Sequence, residues 1–214
     1  MIRLENVTRG TIHDLSLEVA AGQSCRLTLA SHDIKHELFA LLAGHAPPER
    51  GRVRLLGADV YALAEPQRIR LYRRVGLVPE QGGLISNLKA WENILLPAWY
   101  HRGLDAAAAE PRVAALLREV WPEGGDLREL MGKLPDRLSA LERRLVALVR
   151  ALLPEPDLLV YDFLTAGLES GAAGRLLTLT RRFHGEKTGR VSVYLCPDDA
   201  ASEKIRADVT RRLG

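Results

Sequence analysis

A lysine and an aspartate, each at the end of an apolar run, are the residues from which chemistry could be built. Lys35 lies in the stretch Leu29 to Glu37, LASHDIKHE, between the apolar run Cys25 to Leu29 and a helical pattern, Leu38 to Leu42. Asp162 closes the apolar run Leu158 to Tyr161. A strand–loop–helix junction carrying a lysine is where a phosphate loop forms. Backbone N–H groups at the helix N-terminus and one ammonium then share the phosphate oxygens. The full pattern is G-x-x-x-x-G-K-[ST], and only its lysine is present. The residues therefore favour an ordinary strand-to-helix turn, and Lys35 taken alone reads as a solvated lysine. Asp162 taken alone reads as a strand-end carboxylate placed to cap the next segment. His32 and His36 are spaced i, i+4, which could hold Zn²⁺ on a helix, but no third ligand accompanies them. Ser139 lacks the G-x-S-x-G context of a hydrolase nucleophile.

The elements that position these residues follow from periodicity. Met1 to Val7, Ile12 to Val19 and Gly51 to Leu56 alternate apolar and polar residues, as half-buried strands do. Cys25 to Leu29, Val75 to Val78, Leu158 to Tyr161 and Val191 to Cys196 are short continuous apolar runs, the mark of strands buried on both faces. Pro197 is expected to stop the last of them. Helices are expected from Leu38 through Ala43, with Gly44 as a left-handed cap, then over Glu65 to Arg73, Leu88 to Leu95 and Ala106 to Val120. Further helices are expected over Leu127 to Leu134, Ala140 to Leu153, Ala172 to Phe183 and Ala200 to Ile205. Ser139 with Glu142 opens the Ala140 helix as a capping box. Strands alternating with helices argue for an α/β core with a mostly parallel sheet. The helical stretch 81–150 is too long for a crossover loop, so it reads as a helical subdomain inserted between core segments 1–80 and 151–214 of one domain.

Composition narrows the function classes. With 30 basic and 27 acidic residues the chain is nearly balanced, and its arginines are scattered, which argues against a nucleic-acid partner. Hydrophobic residues make up 47% and charged residues 27%, the make-up of a globular domain and not of a disordered tail. Cys25 and Cys196 fall inside apolar runs and read as buried free thiols of a reducing compartment. The N-terminus, MIRLENVTRG, has no apolar signal region, and no stretch approaches the roughly 18 apolar residues of a membrane span.

The order and spacing of the motifs resemble the ATP-binding cassette family, the nucleotide-binding subunits of ABC transporters. Gly22-Gln23 stands where that family has Gly-Glu, Leu41-Leu42-Ala43-Gly44 matches its LLAG, and Gly51 to Gly57 its G-x-v-x-x-x-G. Val75-Gly76-Leu77-Val78 matches the strand before the Q-loop, and Trp91-Glu92-Asn93-Ile94 matches x-E-N-v. Arg137 to Leu152 follows the signature helix, and Leu158 to Glu169 follows LLLaDEPTsgLD. The resemblance covers essentially the whole chain. It implies a P-loop NTPase-like ABC ATPase core: a mostly parallel sheet, N-terminal antiparallel strands and an inserted helical subdomain. The wording of residues 82–101 looks most like cassettes of the lipid-trafficking (Mla or Mce-associated) type.

The same alignment shows what is missing. Leu29, His32 and Ile34 replace the loop glycines, His36 replaces the Mg²⁺-ligating hydroxyl, and Glu37 puts an acid beside the phosphates. Phe163 replaces the general base, and phenylalanine can neither accept a proton nor orient water. Glu80 takes the Q-loop glutamine position, Pro197 the switch histidine, Ala140 and Leu141 the signature glycines, and Glu169 the D-loop aspartate. Arg9-Gly10-Thr11 is a turn too short for an adenine-stacking aromatic. Phosphoryl transfer is positioning plus electrostatic stabilisation, and most positioning groups are gone. The resemblance therefore implies a pseudo-ATPase with no catalytic residue at Phe163, Pro197 or Glu80. Lys35, His36, Asp162 and Ser139 would be the vestige of an ATP and Mg²⁺ site, with no metal expected in its absence. It also implies a transmembrane permease as partner, a homodimer or a heterodimer with another ABC ATPase, and a place at the cytoplasmic face of the inner membrane. An active but atypical ATPase using Lys35 and Asp162, and a soluble scaffold without a permease, are the alternatives.

Overall fold

The computed structural model describes residues 1–102, 106–118, 120–121, 126–200 and 202–214. Two sheets form. The first is antiparallel and contains β1 (Ile2–Arg9), β2 (Ile12–Val19), β4 (Arg50–Leu55) and β5 (Ala58–Asp59), in the order β2-β1-β4-β5. Its alternation buries Ile2, Leu4, Leu15, Leu17, Val53 and Leu55 on one face. The β1–β2 register slips at Asn6 and Asp14, both with positive φ. These residue types tolerate that conformation, and the Asn6 amide donates to the Asp14 carboxylate across the irregularity at 2.8 Å.

The second sheet is parallel: β6 (Val75–Val78), β7 (Leu158–Asp162), β8 (Val191–Pro197), β3 (Ser24–Leu29) and β9 (Val209–Leu213), in that order. Every residue of β7 is buried, as its unbroken apolar run requires. One apolar cluster joins the two sheets, α1 (His32–Leu42) and α2 (Glu65–Tyr72) through Leu4, Leu27, Leu38, Leu55, Leu71, Val160 and Leu195. The other lies under the helices α3 (Ala90–Arg102), α4 (Ala106–Arg118), α5 (Leu127–Gly132) and α6 (Ala140–Leu152), and runs on to Tyr161 and to Phe183 of α7 (Ser170–Gly185). The capping box at Ser139 forms as expected. The Glu142 amide donates to Ser139 Oγ at 3.2 Å, and the Ser139 amide donates to the Glu142 carboxylate at 2.7 Å.

The α/β architecture and the two sheet types agree with the expectation from sequence. Several boundaries move. α3 starts at Ala90 and continues past Leu95, through Pro97, to Arg102. α4 ends at Arg118, and the expected extension to Val120 crosses residue 119, which lies outside the described residues. The expected helix Ala200 to Ile205 is a single 3-10 turn, Ser202–Lys204, and residue 201 is likewise outside. β8 stops at Pro197 as expected, and takes in the proline as its last residue, in register with Leu29. β9 was not expected. It is a sheet edge, so only its ends are partly buried, and it reads in sequence as a basic tail. Cys25 and Cys196 are free and buried, and burial pushes both thiols up to about 12.

Candidate functional site

β3 ends at Leu29 and α1 begins at His32, so the junction is reduced to Ala30 and Ser31, the ordinary strand-to-helix turn that the residues favour. Ser31 is extended, with φ −144° and ψ 159°, and caps the helix: its Oγ accepts from the Ile34 amide at 3.2 Å. Its carbonyl accepts from the Lys35 amide at 3.2 Å. A phosphate nest alternates right- and left-handed residues so that successive N–H groups converge on an anion. Among the described residues, those with positive φ all lie outside 29–37. The junction is thus a serine-capped turn whose helix begins before the lysine.

Starting the helix early turns Lys35 inward. It is 3% exposed, which corrects the expectation of a solvated lysine. The reason is local compensation: buried charges persist when paired. Lys35 Nζ donates to Glu80 Oε2 at 2.6 Å and lies 3.7 Å from Asp162 Oδ2. The Phe163 ring covers it, with its centroid 5.1 Å from the ammonium, and the His32 ring meets Phe163 edge-on at 5.5 Å. Phe163 holds φ 48°, an uncommon conformation for an aromatic residue. Its amide donates to the Leu195 carbonyl at 3.0 Å, and its carbonyl accepts from Ala166 at 3.1 Å, which fixes that turn.

Asp162 does not cap the segment that follows it. Its Oδ2 accepts from the Glu80 backbone amide at 3.2 Å, so it caps the turn after β6. Its Oδ1 is buried, with no hydrogen-bond partner among the described residues. Burial raises the carboxyl above the usual range, with the Lys35 charge as the main opposing influence. Arg144 of α6 donates to the Leu164 and Ala166 carbonyls and lies within electrostatic reach of Glu80 and Asp162. Glu37 is also occupied: its carboxylate pairs with Arg9 Nε at 2.6 Å, and Arg9 donates to the Pro47 carbonyl at 2.7 Å. That pair lies at the β1–β2 turn.

The structure therefore gathers Lys35, Glu80, Asp162 and Phe163, and leaves the other expected positions apart. His36 is exposed on α1. Ser139 is taken up by its own capping box, whose Glu142 is paired with Lys133 at 2.9 Å. Pro197 serves as a strand end. Among the described residues, no three His, Cys, Asp or Glu side chains come together as metal ligands. Arg9, Arg144 and the pairing of Glu80 with Lys35 were not anticipated from the sequence. Arg144 was visible only as a single charged letter, Glu80 only as the residue at the Q-loop position, and only the folded chain joins them. Chemically the cluster is a closed set of charges. It offers no base at Phe163 and no free ammonium at Lys35.

With this geometry in place, the comparisons with known proteins fall into line. The family model described as ABC transporter matches residues 12–166. Methionine import ATP-binding protein MetN of Rhizobium meliloti is 32% identical over 181 residues, which is 85% of this chain and 49% of that protein. The chain thus spans about half the length of that relative. Intermembrane phospholipid transport system ATP-binding protein MlaF of Haemophilus influenzae is 28% identical over 189 residues, 86% of this chain and 70% of the relative. In fold, the chain superposes on the dimeric ATP-binding cassette MJ0796 bound to ADP and Pi with a TM-score of 0.84. That match is at 22% identity and covers 100% of this chain and 94% of the other. The match over residues 12–166, the shared fold and the lysine and aspartate at the expected junctions lead to one conclusion: the chain belongs to the ABC transporter family, as an ATP-binding cassette.

Proposed function

We propose that this cassette is catalytically silent and acts as a structural or regulatory subunit of a membrane transport complex. The observation that carries the reading is Lys35, buried against Glu80 and Asp162 where an incoming triphosphate needs a free ammonium. Phe163 at the position of the general base supports it, as does the serine-capped turn in place of a nest. On this reading Lys35, Asp162 and Glu80 hold the fold, Ser139 caps a helix, and His36 has no ligand.

The relatives' names supply the setting. MetN and MlaF are named as ATP-binding proteins of import and intermembrane transport systems, and the MJ0796 cassette is dimeric. The partners proposed here are a transmembrane permease and a second cassette, the chain lying at the cytoplasmic membrane face. Among the described residues no helix is long and apolar enough to cross a membrane. The phospholipid-transport relative favours a lipidic cargo. The competing reading is an atypical working ATPase, favoured by the survival of Lys35 and Asp162. Phosphate release from the purified chain with Mg-ATP separates the two. Silence predicts turnover at the buffer background, identical in wild type and Lys35→Ala. Turnover that Lys35→Ala abolishes would establish the competing reading.

A further inference from the structure

The segment 79–89, which joins β6 to α3, is pinned at three places by four different elements. At its start, Glu80 gives its carboxylate to Lys35 of α1 at 2.6 Å and its amide to Asp162 of β7 at 3.2 Å. In the middle, Arg150 of α6 donates to the carbonyls of Gly82 and Gly83, both at 2.7 Å. Those glycines have φ 78° and 52°. A Cβ on Gly82 would meet the Arg143 side chain at 2.9 Å, so the segment lies directly on α6. At its end, the buried Asn93 side chain accepts from the Ile85 amide at 2.8 Å and donates to the carbonyls of Ile85, Leu88 and Lys89.

These contacts use only the chain's own groups. The anion that satisfies Lys35 is the segment's own carboxylate, so an external anion has to displace Glu80 before it can reach the ammonium. The exchange gives up the charge-assisted hydrogen bond between Glu80, whose side chain is 20% exposed, and the buried ammonium, which opposes it. We propose that segment 79–89 is an autoinhibitory strap. Glu80 fills the anion position on Lys35, and the Arg150 and Asn93 contacts hold the rest of the segment, so it keeps one position with or without nucleotide. The strap deepens the reading of a silent cassette and rests on it for its biological sense. Its geometry is independent of whether turnover occurs.

Amide hydrogen exchange of the whole chain tests it, because the amides of Glu80 and Gly82 are both hydrogen-bonded, to Asp162 and to the Pro79 carbonyl. Three samples are compared: wild type without nucleotide, wild type with millimolar Mg-ATP, and Glu80→Gln without nucleotide. Glu80→Gln keeps the shape of the side chain and leaves Lys35 its Asp162 neighbour, so it is expected to fold. The strap predicts slow exchange at residues 80 and 82 in nucleotide-free wild type, the same rate with Mg-ATP, and about tenfold faster exchange in Glu80→Gln, the scale of one charge-assisted hydrogen bond. Fast exchange in wild type that Mg-ATP slows would overturn it, and so would a Glu80→Gln rate equal to wild type. Turnover that survives Lys35→Ala, together with Glu80-dependent protection, would sink the silent-cassette reading and leave the strap. Silence together with an unchanged Glu80→Gln rate would do the reverse.

Discussion

Lys35→Met is expected to lower the free energy of unfolding by about 3–5 kcal/mol, the cost of removing one partner from a buried ion pair. The arithmetic favours a large effect because two carboxylates depend on this ammonium. Glu80 accepts from it at 2.6 Å, and Asp162 stands 3.7 Å away with one oxygen already unpartnered among the described residues. Methionine fills the space of the lysine stem beside Phe163, so the loss is electrostatic and leaves no cavity. In a cassette whose lysine faces an empty pocket, the same change in the absence of nucleotide removes only an exposed charge and costs within about 0.5 kcal/mol.

The deficit also has a pH signature. Burial already raises Asp162, and Lys35 is what chiefly opposes the rise, so the variant raises it further. A carboxyl whose folded value lies above its unfolded value, about 3.9, costs stability on the alkaline side of that window. The penalty grows as pH increases from the unfolded value through the folded one and is absent below both. Urea unfolding followed by tryptophan fluorescence at several pH values checks this. The gap between wild type and variant should narrow toward acid, and adding Glu80→Gln to Lys35→Met should recover part of the loss.

Asn93→Ala is expected to cost about 2–4 kcal/mol, because buried groups are left without partners at about 1–3 kcal/mol each. The Asn93 side chain makes four hydrogen bonds and is fully buried. Neither alanine nor water replaces them inside the helical layer. The corresponding drop in Tm is roughly 5–15 °C for a chain of this size, measurable by circular dichroism. Asn93→Asp separates the acceptor from the donor role. It keeps the oxygen that faces the Ile85 amide but sets a second, buried carboxylate oxygen against three carbonyls, so its Tm should fall below that of the alanine variant.

Much of this fold was legible in the letters, and the reasons differ by element. α6 was clear because its apolar residues recur at helical spacing and Ser139 with Glu142 announces its start. β7 was clear because a strand buried on both faces leaves no polar letter in the run. β9 was not, because an edge strand buries little and its residues Thr210 to Arg212 resemble a solvated tail. The junction at Lys35 was legible in its losses, since missing glycines can be counted. Its replacement was not: Glu80 lies 45 residues from Lys35 and pairs with it only once β6 and α1 are packed beside β7. The lysine was misjudged for the same reason, as burial of a charge depends on partners that no local window contains. Arg9 and Glu37 repeat the lesson at the β1–β2 turn.

The chain's own carboxylates occupy Lys35, and on the proposed reading they shut out a triphosphate. Isothermal titration calorimetry of the purified chain with Mg-ATP tests it most directly. No saturable heat is expected up to millimolar nucleotide, in wild type and in Lys35→Met alike. A one-site isotherm of micromolar affinity in wild type, lost in Lys35→Met, would contradict it.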